Sequence, residues 1–433
     1  MSTGAPAIHS KTPRIAIVDG ARTPFARSWS TLNEVDPVSL STHVARELLH
    51  RNQLRAEDVD HVVWGTVISV VRSPNVAREV ALNLNMYRTP GFSVSRACAT
   101  GLQSIASAAQ LIQCGHAEVV LAGGVDVASA APVPHKKRLI DTLQKAQKAK
   151  GFDLLRTLAE VKLGDLVPAP PALTERYTGL TMGQHAEEMA QFFGIERSAQ
   201  ESMAVASHTK AHQAVSDGHI DAQMVPVPTS KGRVSEDNLI RAKMDPAKLA
   251  RLRPVFDRKH GTITAATSSA LTDGASCVLV MSEERAKALG MNILGYLRGY
   301  AFPALDPREN MLLGNVYAMP EALERSGAEL NDMDLVEIHE AFYAQVLSNL
   351  RCFEDKEFFE EKLGRTKVLG PVDPEKLNIW GGSMAFGHPF AATGGRLIVN
   401  LLHALRHVDG TLGVATACAA GGLGSAMVVE RAN

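Results

Sequence analysis

Ser93-Val94-Ser95-Arg96-Ala97-Cys98-Ala99-Thr100-Gly101-Leu102-Gln103-Ser104 is the stretch on which the fold turns. A β-like run ends near Val94. Small and apolar residues at helical spacing follow it: Ile105, Ala106, Ala108, Ala109, Leu111 and Ile112. A strand running straight into a helix is the repeating unit of α/β layering. One cysteine sits at the junction, close to a glycine. A thiol at a helix N-terminus faces unpaired backbone N–H groups and the positive end of the helix dipole, and both favour thiolate. Two readings stand at this point: a nucleophile, or a small buried apolar side chain, the commonest fate of a lone cysteine.

Outward from that junction the same grammar continues. Arg14 to Val18 is a short apolar strand. Asp36-Pro37 offers a cap and a first-turn proline to an amphipathic helix over Val38 to His50. Val59 to Val71 (VDHVVWGTVISVV) reads as one strand buried on both faces, Ser73 to Leu84 as a helix, and Ala117 to Gly124 as another buried strand. Strands alternating with helices predict an α/β fold with a mainly parallel sheet. From about Ala130 the texture changes. Residues 131–264 carry helical runs, prolines and few strong strands, and read as an insertion. Within it, His135 to Leu163 interleaves Lys136, Lys137, Arg138, Lys145, Lys148, Lys150, Arg156 and Lys162 with Leu139, Ile140, Leu143, Leu154, Leu155, Leu158 and Val161. That basic amphipathic pattern fits a solvated helix pair, a partner- or membrane-facing surface, or a wall for an anionic ligand. Met182 to Gln213 is helical again, and α/β texture resumes over Gly261 to Val280.

A second α/β unit starts at Leu294 and resembles the first. Asp58-Val59-Asp60 before one buried strand is matched by Asp332-Met333-Asp334 before another. The junction at Cys98 is matched by Asn378 to Leu402, where Gly381-Gly382 leads through Gly387-His388-Pro389 into a helix. Such an internal repeat implies two similar halves with their junctions facing one cleft.

Composition narrows the function classes. Charged residues make up 21% of the 433 and hydrophobic ones 45%, with a net charge of −1, so no bulk field points to nucleic acid or an anionic surface. Cys98, Cys114, Cys277, Cys352 and Cys418 are scattered and odd in number, which argues against a disulfide framework or a zinc site and for a reducing compartment. Without an apolar leader or a membrane-length apolar run, the expected location is the cytoplasm.

Three more stretches place reactive side chains among small residues at turns. They are Ile338-His339-Glu340-Ala341-Phe342, Gly381 to Arg396 (GGSMAFGHPFAATGGR), and Thr416 to Gly424 (TACAAGGLG). A histidine beside a cysteine activates a thiol, and glycines let backbone N–H groups approach a developing oxyanion. Together with VSRACATG and GTITAATSSALTDGA, these blocks resemble, in order and over essentially the whole chain, the thiolase family. The HEAF and CAAGG forms and the long basic insertion are most similar to the β-subunit type of bacterial fatty-acid oxidation complexes.

The resemblance implies a five-layered αβαβα core from two duplicated halves with an inserted loop domain. The expected boundaries are 1–130, completed by 265–286, for the first half, 131–264 for the loop domain, and 287–433 for the second half. It implies cleavage of 3-ketoacyl-CoA by CoA to acetyl-CoA and a shortened acyl-CoA. Cys98 corresponds to the nucleophile, His388 to its base, Cys418 to the acid/base thiol, and His339 to the residue holding an oxyanion-site water. The N–H groups of Cys98 and Ala420 correspond to the second oxyanion hole. Met182 and Ser269 correspond to positions near the pantetheine arm. No metal or resident cofactor is implied, CoA being a substrate. The expected assembly is a homodimer joined to an enoyl-CoA hydratase/3-hydroxyacyl-CoA dehydrogenase α-subunit, with residues 135–163 facing that subunit or a membrane. A ketoacyl-synthase-like condensing enzyme is the nearest rival, disfavoured by Cys418 because it needs no second thiol acid. A non-catalytic scaffold is disfavoured by the presence of all four chemical residues.

Overall fold

The structure is a computed structural model that describes residues 12–168 and 174–433. Its strands are β1 (Ile15–Arg22), β2 (Ala26–Arg27), β3 (His61–Gly65), β4 (Gly91–Val94), β5 (Val119–Val127), β6 (Val227–Thr229), β7 (Gly232–Val234), β8 (Thr272–Ser282), β9 (Gly295–Ala301), β10 (Leu335–Ile338), β11 (Leu412–Ala419) and β12 (Leu423–Arg431). The main sheet runs β10-β11-β12-β9-β1-β8-β5-β3-β4. One pairing map appears in it twice. β3 and β5 are parallel, as are β10 and β11; β5 and β8 are antiparallel, as are β11 and β12. β4 lies parallel beside β3, and Leu377 bridges in parallel to Val336 of β10. The antiparallel pair β1·β9 joins the two sets.

The repeated aspartates explain why the sequence patterns match. Asp60 accepts hydrogen bonds from the N–H groups of Glu118 and Val119 at 2.8 and 2.9 Å, and Asp334 does the same for Thr411 and Leu412 at 2.6 and 3.0 Å. Each carboxylate clamps the start of the strand that will pair in parallel with its own. Asp58 and Asp332 in turn accept from Arg55 and Glu329, closing a 3₁₀ turn ahead of each strand.

Period-two alternation sorts the core into three apolar slabs. Val119 and Leu121 of β5 pack outward on Leu40, Val44 and Leu48 of the Pro37–Arg51 helix. Val120 and Ala122 point inward to Leu102, Ile105, Leu397 and Ile398. On the far side, Val414 packs with Val316, Met319 and Leu323 of the Gly314–Ser326 helix, while Ala415 and Ala417 face inward. The helices Thr100–Gln113 and Phe390–His407 therefore share the central slab, and the layers are helix, sheet, helix, sheet, helix. A Cβ on Gly101 would meet Ala391 O at 2.6 Å and Gly394 N at 2.7 Å, so glycine lets these two helices touch backbone to backbone.

Several expectations are corrected. The sheet is mixed rather than mainly parallel: β3·β4, β3·β5 and β10·β11 are parallel, whereas β1·β8, β1·β9, β5·β8, β9·β12 and β11·β12 are antiparallel. The strand expected over Val59 to Val71 stops at Gly65. The Asp126 carboxylate accepts from Val67 N and Ile68 N, at 3.0 and 2.7 Å, and turns the chain out, leaving Val71 76% exposed. The following helix starts at Val76 behind an Asn75 cap rather than at Ser73. Met182 to Gln213 is two helices, Met182–Phe192 and Arg197–Ser216, broken at Gly194, and Gly261 to Ala265 forms no strand. The basic segment forms helices Lys137–Lys148 and Phe152–Ala159, separated at Gly151. Leu139 is buried there, but Ile140, Leu143, Phe152, Leu155 and Leu158 are exposed. The proline-rich connector expected over Asp165 to Thr174 falls partly outside the described residues. Among the described residues no helix is long and apolar enough to cross a membrane.

Candidate active site

The site is built where the two central helices begin. β4 ends at Val94, and the chain makes one tight turn before the helix starts at Thr100. Ala97 adopts φ +46°, a left-handed conformation that costs an alanine about 1–2 kcal/mol. The turn holds it there: Thr100 N–H donates to Ala97 O at 3.0 Å, and Arg96 N–H donates to Thr100 Oγ1 at 2.7 Å. The kink presents Cys98 one residue ahead of the N-cap, Ala99.

The matching junction in the second half presents His388. Gly387 has φ +94°, and a Cβ there would lie 2.5 Å from Thr272 Oγ1, the atom that accepts from His388 N–H at 3.0 Å. The ring is fixed by a 2.6 Å hydrogen bond between Nδ1 and Thr393 Oγ1, one turn into the helix. Its Nε2 is buried and without a partner. Cys418 is the penultimate residue of β11 and is 1% exposed. His339 follows β10; its N–H donates to Thr416 O at 2.9 Å, its Nδ1 pairs with Ser383 Oγ at 2.8 Å, and its ring centroid lies 4.1 Å from that of His388.

Cys98, His388, Cys418 and Ala420 line one cavity of about 330 Å³, and Met182 and Ser269 line it too. Thr181 and Ser268 also line it, and the rest of its wall is mainly apolar and aromatic, with Phe256, Leu271, Leu312, Phe342 and Phe390. Ser269 is stitched in place by its N–H donating to Ala341 O at 2.9 Å, and Leu271 bridges to His388. His339 stands behind His388 rather than in the cavity wall. The lining residues include no lysine or arginine, so the idea that the basic segment lines an anionic ligand's pocket finds no support at this cavity.

Electrostatics runs against a standing thiolate, even though Cys98 keeps partial exposure at the cavity. Burial, and then the Asp126 carboxylate, push the Cys98 thiol up to about 12, against the N–H groups of Ala420 and Cys98 itself, which pull the other way. The helix dipole loses to desolvation here. Burial, and then Arg396, hold His388 down at about 3, so its imidazole is neutral. His339 is held well below the usual histidine range by burial, His388 and Arg396. Burial and the Cys98 thiol raise Cys418. The site thus holds two neutral thiols and two neutral imidazoles, together with the Ala420 and Cys98 N–H groups at the Cys98 sulfur. That set suits transfer of an acyl group through sulfur, with protons moved by neutral acids and bases.

Three supporting residues escaped the sequence reading. Asp126 accepts from Val67, Ile68 and Ala391 N–H groups and from Thr66 Oγ1, tying the end of β5 to the start of the Phe390–His407 helix. Thr393 orients His388, and Ser383 contacts His339. A signal existed for Asp126, an acid two residues after the paired glycines Gly123 and Gly124 in an otherwise apolar strand. Thr393 and Ser383 look like ordinary small residues until the helix is wound.

Comparison with known proteins agrees with the geometry. The model "Thiolase, N-terminal domain" matches residues 15–284, and "Thiolase, C-terminal domain" matches residues 291–431. A 3-ketoacyl-CoA thiolase of Shewanella woodyi is 45% identical over 99% of this chain and 100% of its own. One from Aeromonas salmonicida is 48% identical over 96% of this chain and 97% of its own. Among solved structures, the Bacillus anthracis acetyl-CoA acetyltransferase superposes with TM-score 0.84 at 32% identity, covering 98% of this chain and 100% of that one. Human mitochondrial 3-ketoacyl-CoA thiolase in complex with CoA gives 0.83 at 30%, covering 97% and 98%. The doubled pairing map and the paired junctions of its site are therefore those of a known architecture, and the chain belongs to the thiolase family.

Proposed function

We propose that this chain is a 3-ketoacyl-CoA thiolase, an acyltransferase that cleaves 3-ketoacyl-CoA with CoA to acetyl-CoA and an acyl-CoA two carbons shorter. The observation that carries this reading is the convergence of Cys98, His388 and Cys418 on one apolar cavity. Near-full-length identity of 45–48% to relatives bearing that name supports the substrate class.

The roles follow from the protonation states. His388 Nε2, neutral and without a protein partner, takes the Cys98 proton as the sulfur attacks the 3-keto carbon. The C2–C3 bond then breaks, its electron pair passing to C2 as the enolate of acetyl-CoA. Cys418 gives C2 a proton. The acyl group stays on Cys98 as a thioester until the thiol of a free CoA, giving its proton to the Cys418 thiolate, attacks it; the Cys98 sulfur leaves and takes its proton back from His388. The Ala420 and Cys98 N–H groups hold the oxygen of the acyl-sulfur centre, and His339 serves the thioester oxygen through a water. Met182 and Ser269 line the CoA arm. CoA enters as a substrate, and no resident cofactor takes part.

The partner surface is part of the proposal. Residues 135–163 present Lys136, Lys137 and Lys148 beside exposed Ile140, Leu143, Phe152 and Leu155, an apolar face that the described residues leave uncovered. We assign it to an α-subunit carrying hydratase and dehydrogenase activities, with a membrane surface as the alternative, and the active form to a cytoplasmic homodimer joined to that subunit. Deleting the segment should abolish co-purification of the α-subunit; unchanged complex formation refutes the assignment.

Thiolysis itself is read from the ultraviolet absorbance of the Mg²⁺-bound 3-ketoacyl-CoA enolate. That absorbance should fall on addition of CoA, and Cys98→Ala should remove both this loss and the acylated protein seen by mass spectrometry. Acylation at another residue would overturn the nucleophile assignment. No loss at any chain length would overturn the enzyme.

A further inference from the structure

Ser383 has two polar partners, and both lie in the buried heart of the molecule. Arg396 Nη2 is 2.7 Å from its hydroxyl oxygen, and His339 Nδ1 is 2.8 Å away. Ser383 and His339 are fully buried, and Arg396 is 1% exposed. Arg396 is itself held beside Glu337, with Nη1 3.7 Å from Oε2.

A guanidinium only donates, so Arg396 occupies a lone pair of the Ser383 oxygen. The serine retains one proton, and the acceptor within its reach is the lone pair of His339 Nδ1. If Nδ1 instead carried the proton, the oxygen would face two donors and its own O–H would have nowhere to go. An imidazolium would create the same conflict, and burial beside His388 and Arg396 opposes it as well. From this hydrogen count we infer that Ser383, polarised by Arg396, donates to His339 Nδ1 and fixes His339 as the neutral tautomer protonated at Nε2. His339 Nε2 is buried and has no protein partner. The relay therefore leaves one free N–H beside His388, a donor ready for an oxyanion or the water that meets it. This rests on the reading of His339 given under the proposed function and extends it to a positioning residue, Ser383.

The test uses the full chain in two measurements. In ¹⁵N-histidine spectra, His339 should show a protonated Nε2 and an unprotonated Nδ1. Ser383→Ala should mix the tautomers. The same variant should lose about 10- to 100-fold in kcat with KM little changed, and Ser383→Thr, which keeps the hydroxyl, should recover most of it. In a His339→Asn background, where a carboxamide presents N–H without choosing a tautomer, Ser383→Ala should cost less than about twofold. A protonated Nδ1 in the wild type overturns the inference. So does an equal cost of Ser383→Ala in both backgrounds, which would mark Ser383 as structural. If His339→Asn and Ser383→Ala are both fully active while the spectra show the Nε2–H form, the tautomer assignment stands and the role of His339 fails.

Discussion

The hydrogen bond between Thr393 Oγ1 and His388 Nδ1, 2.6 Å long and fully buried, sets up a sharp perturbation. For Nε2 to accept the Cys98 proton, the neutral ring must carry its own proton on Nδ1 and donate it to Thr393. Once Nε2 is protonated, the same contact becomes a hydrogen bond from an imidazolium. A neutral pair contributes about 0.5–1.5 kcal/mol and a charged one about 1.5–3, so the contact strengthens by about 1–2 kcal/mol on the way to the transition state. Thr393→Val keeps the shape and removes that gain. The expected loss is about 5- to 30-fold in the rate of Cys98 acylation, with KM within about twofold. Rapid-quench mass spectrometry of the acyl-enzyme gives the rate directly, and Thr393→Ser should restore it. A Thr393→Val rate within twofold of wild type, or a loss confined to KM, would refute the claim that Thr393 supports His388 as its charge develops.

Cys418→Ser should slow C–C cleavage far more than acylation of Cys98 by a simple acyl-CoA; equal losses would remove its acid/base role. Burial holds His388 near pH 3, so the acid limb of kcat/KM should fall below pH 5, and an acid limb between pH 6 and 7 would show a charged imidazole instead. Asp126 is raised from 3.8 to about 7 by burial, so its contribution to stability is fully present below pH 3.8 and lost as pH rises through 7. That swing is worth about 4 kcal/mol, and Asp126→Asn cannot titrate. The variant's Tm relative to wild type should therefore climb between pH 4.5 and pH 8; a constant difference would exclude the linkage. Gly101→Ala drives a Cβ into the backbone of Ala391 and Gly394 and should abolish soluble expression, whereas Gly164→Ala, with open space around it, should express normally.

Much of this was legible because it is written in short-range patterns. The Asp36 cap accepts from Val38 and Ser39 N–H, as its Asp-Pro pair indicated. The Asp-x-Asp repeat was visible because each half needs the same clamp at the same strand start. Cys98, His388 and Cys418 were visible because thiols and imidazoles stand out among small residues, and the structure brings all three to one cavity. What failed depends on groups distant in sequence. Val67 and Ile68 have β-forming side chains, yet Asp126, far along the chain, captures their N–H groups and ends the strand. The thiolate reading of Cys98 counted the dipole of its own helix. The thiol's burial comes from a cavity walled by distant residues such as Met182, Phe256, Phe390 and Cys418, which no local window contains.

The burial of Cys98 and His388 explains why the site needs both halves. A thiol at about 12 and an imidazole at about 3 cannot exchange a proton on their own, because the ion pair so formed would be buried without compensation. The exchange becomes favourable only if the negative charge leaves the sulfur as it forms. A carbonyl carbon over Cys98 does this, moving the charge to an oxygen held by prepared N–H groups. The Cys98 N–H belongs to the first junction and the Ala420 N–H to the turn after β11 in the second half. Burial therefore suppresses a standing thiolate and confines ionisation to the moment of attack. A variant that merely lowered the thiol's pKa, by opening the cavity to water, should gain reactivity toward iodoacetamide while losing thiolysis. Parallel gains in both would show that desolvation is incidental to the chemistry.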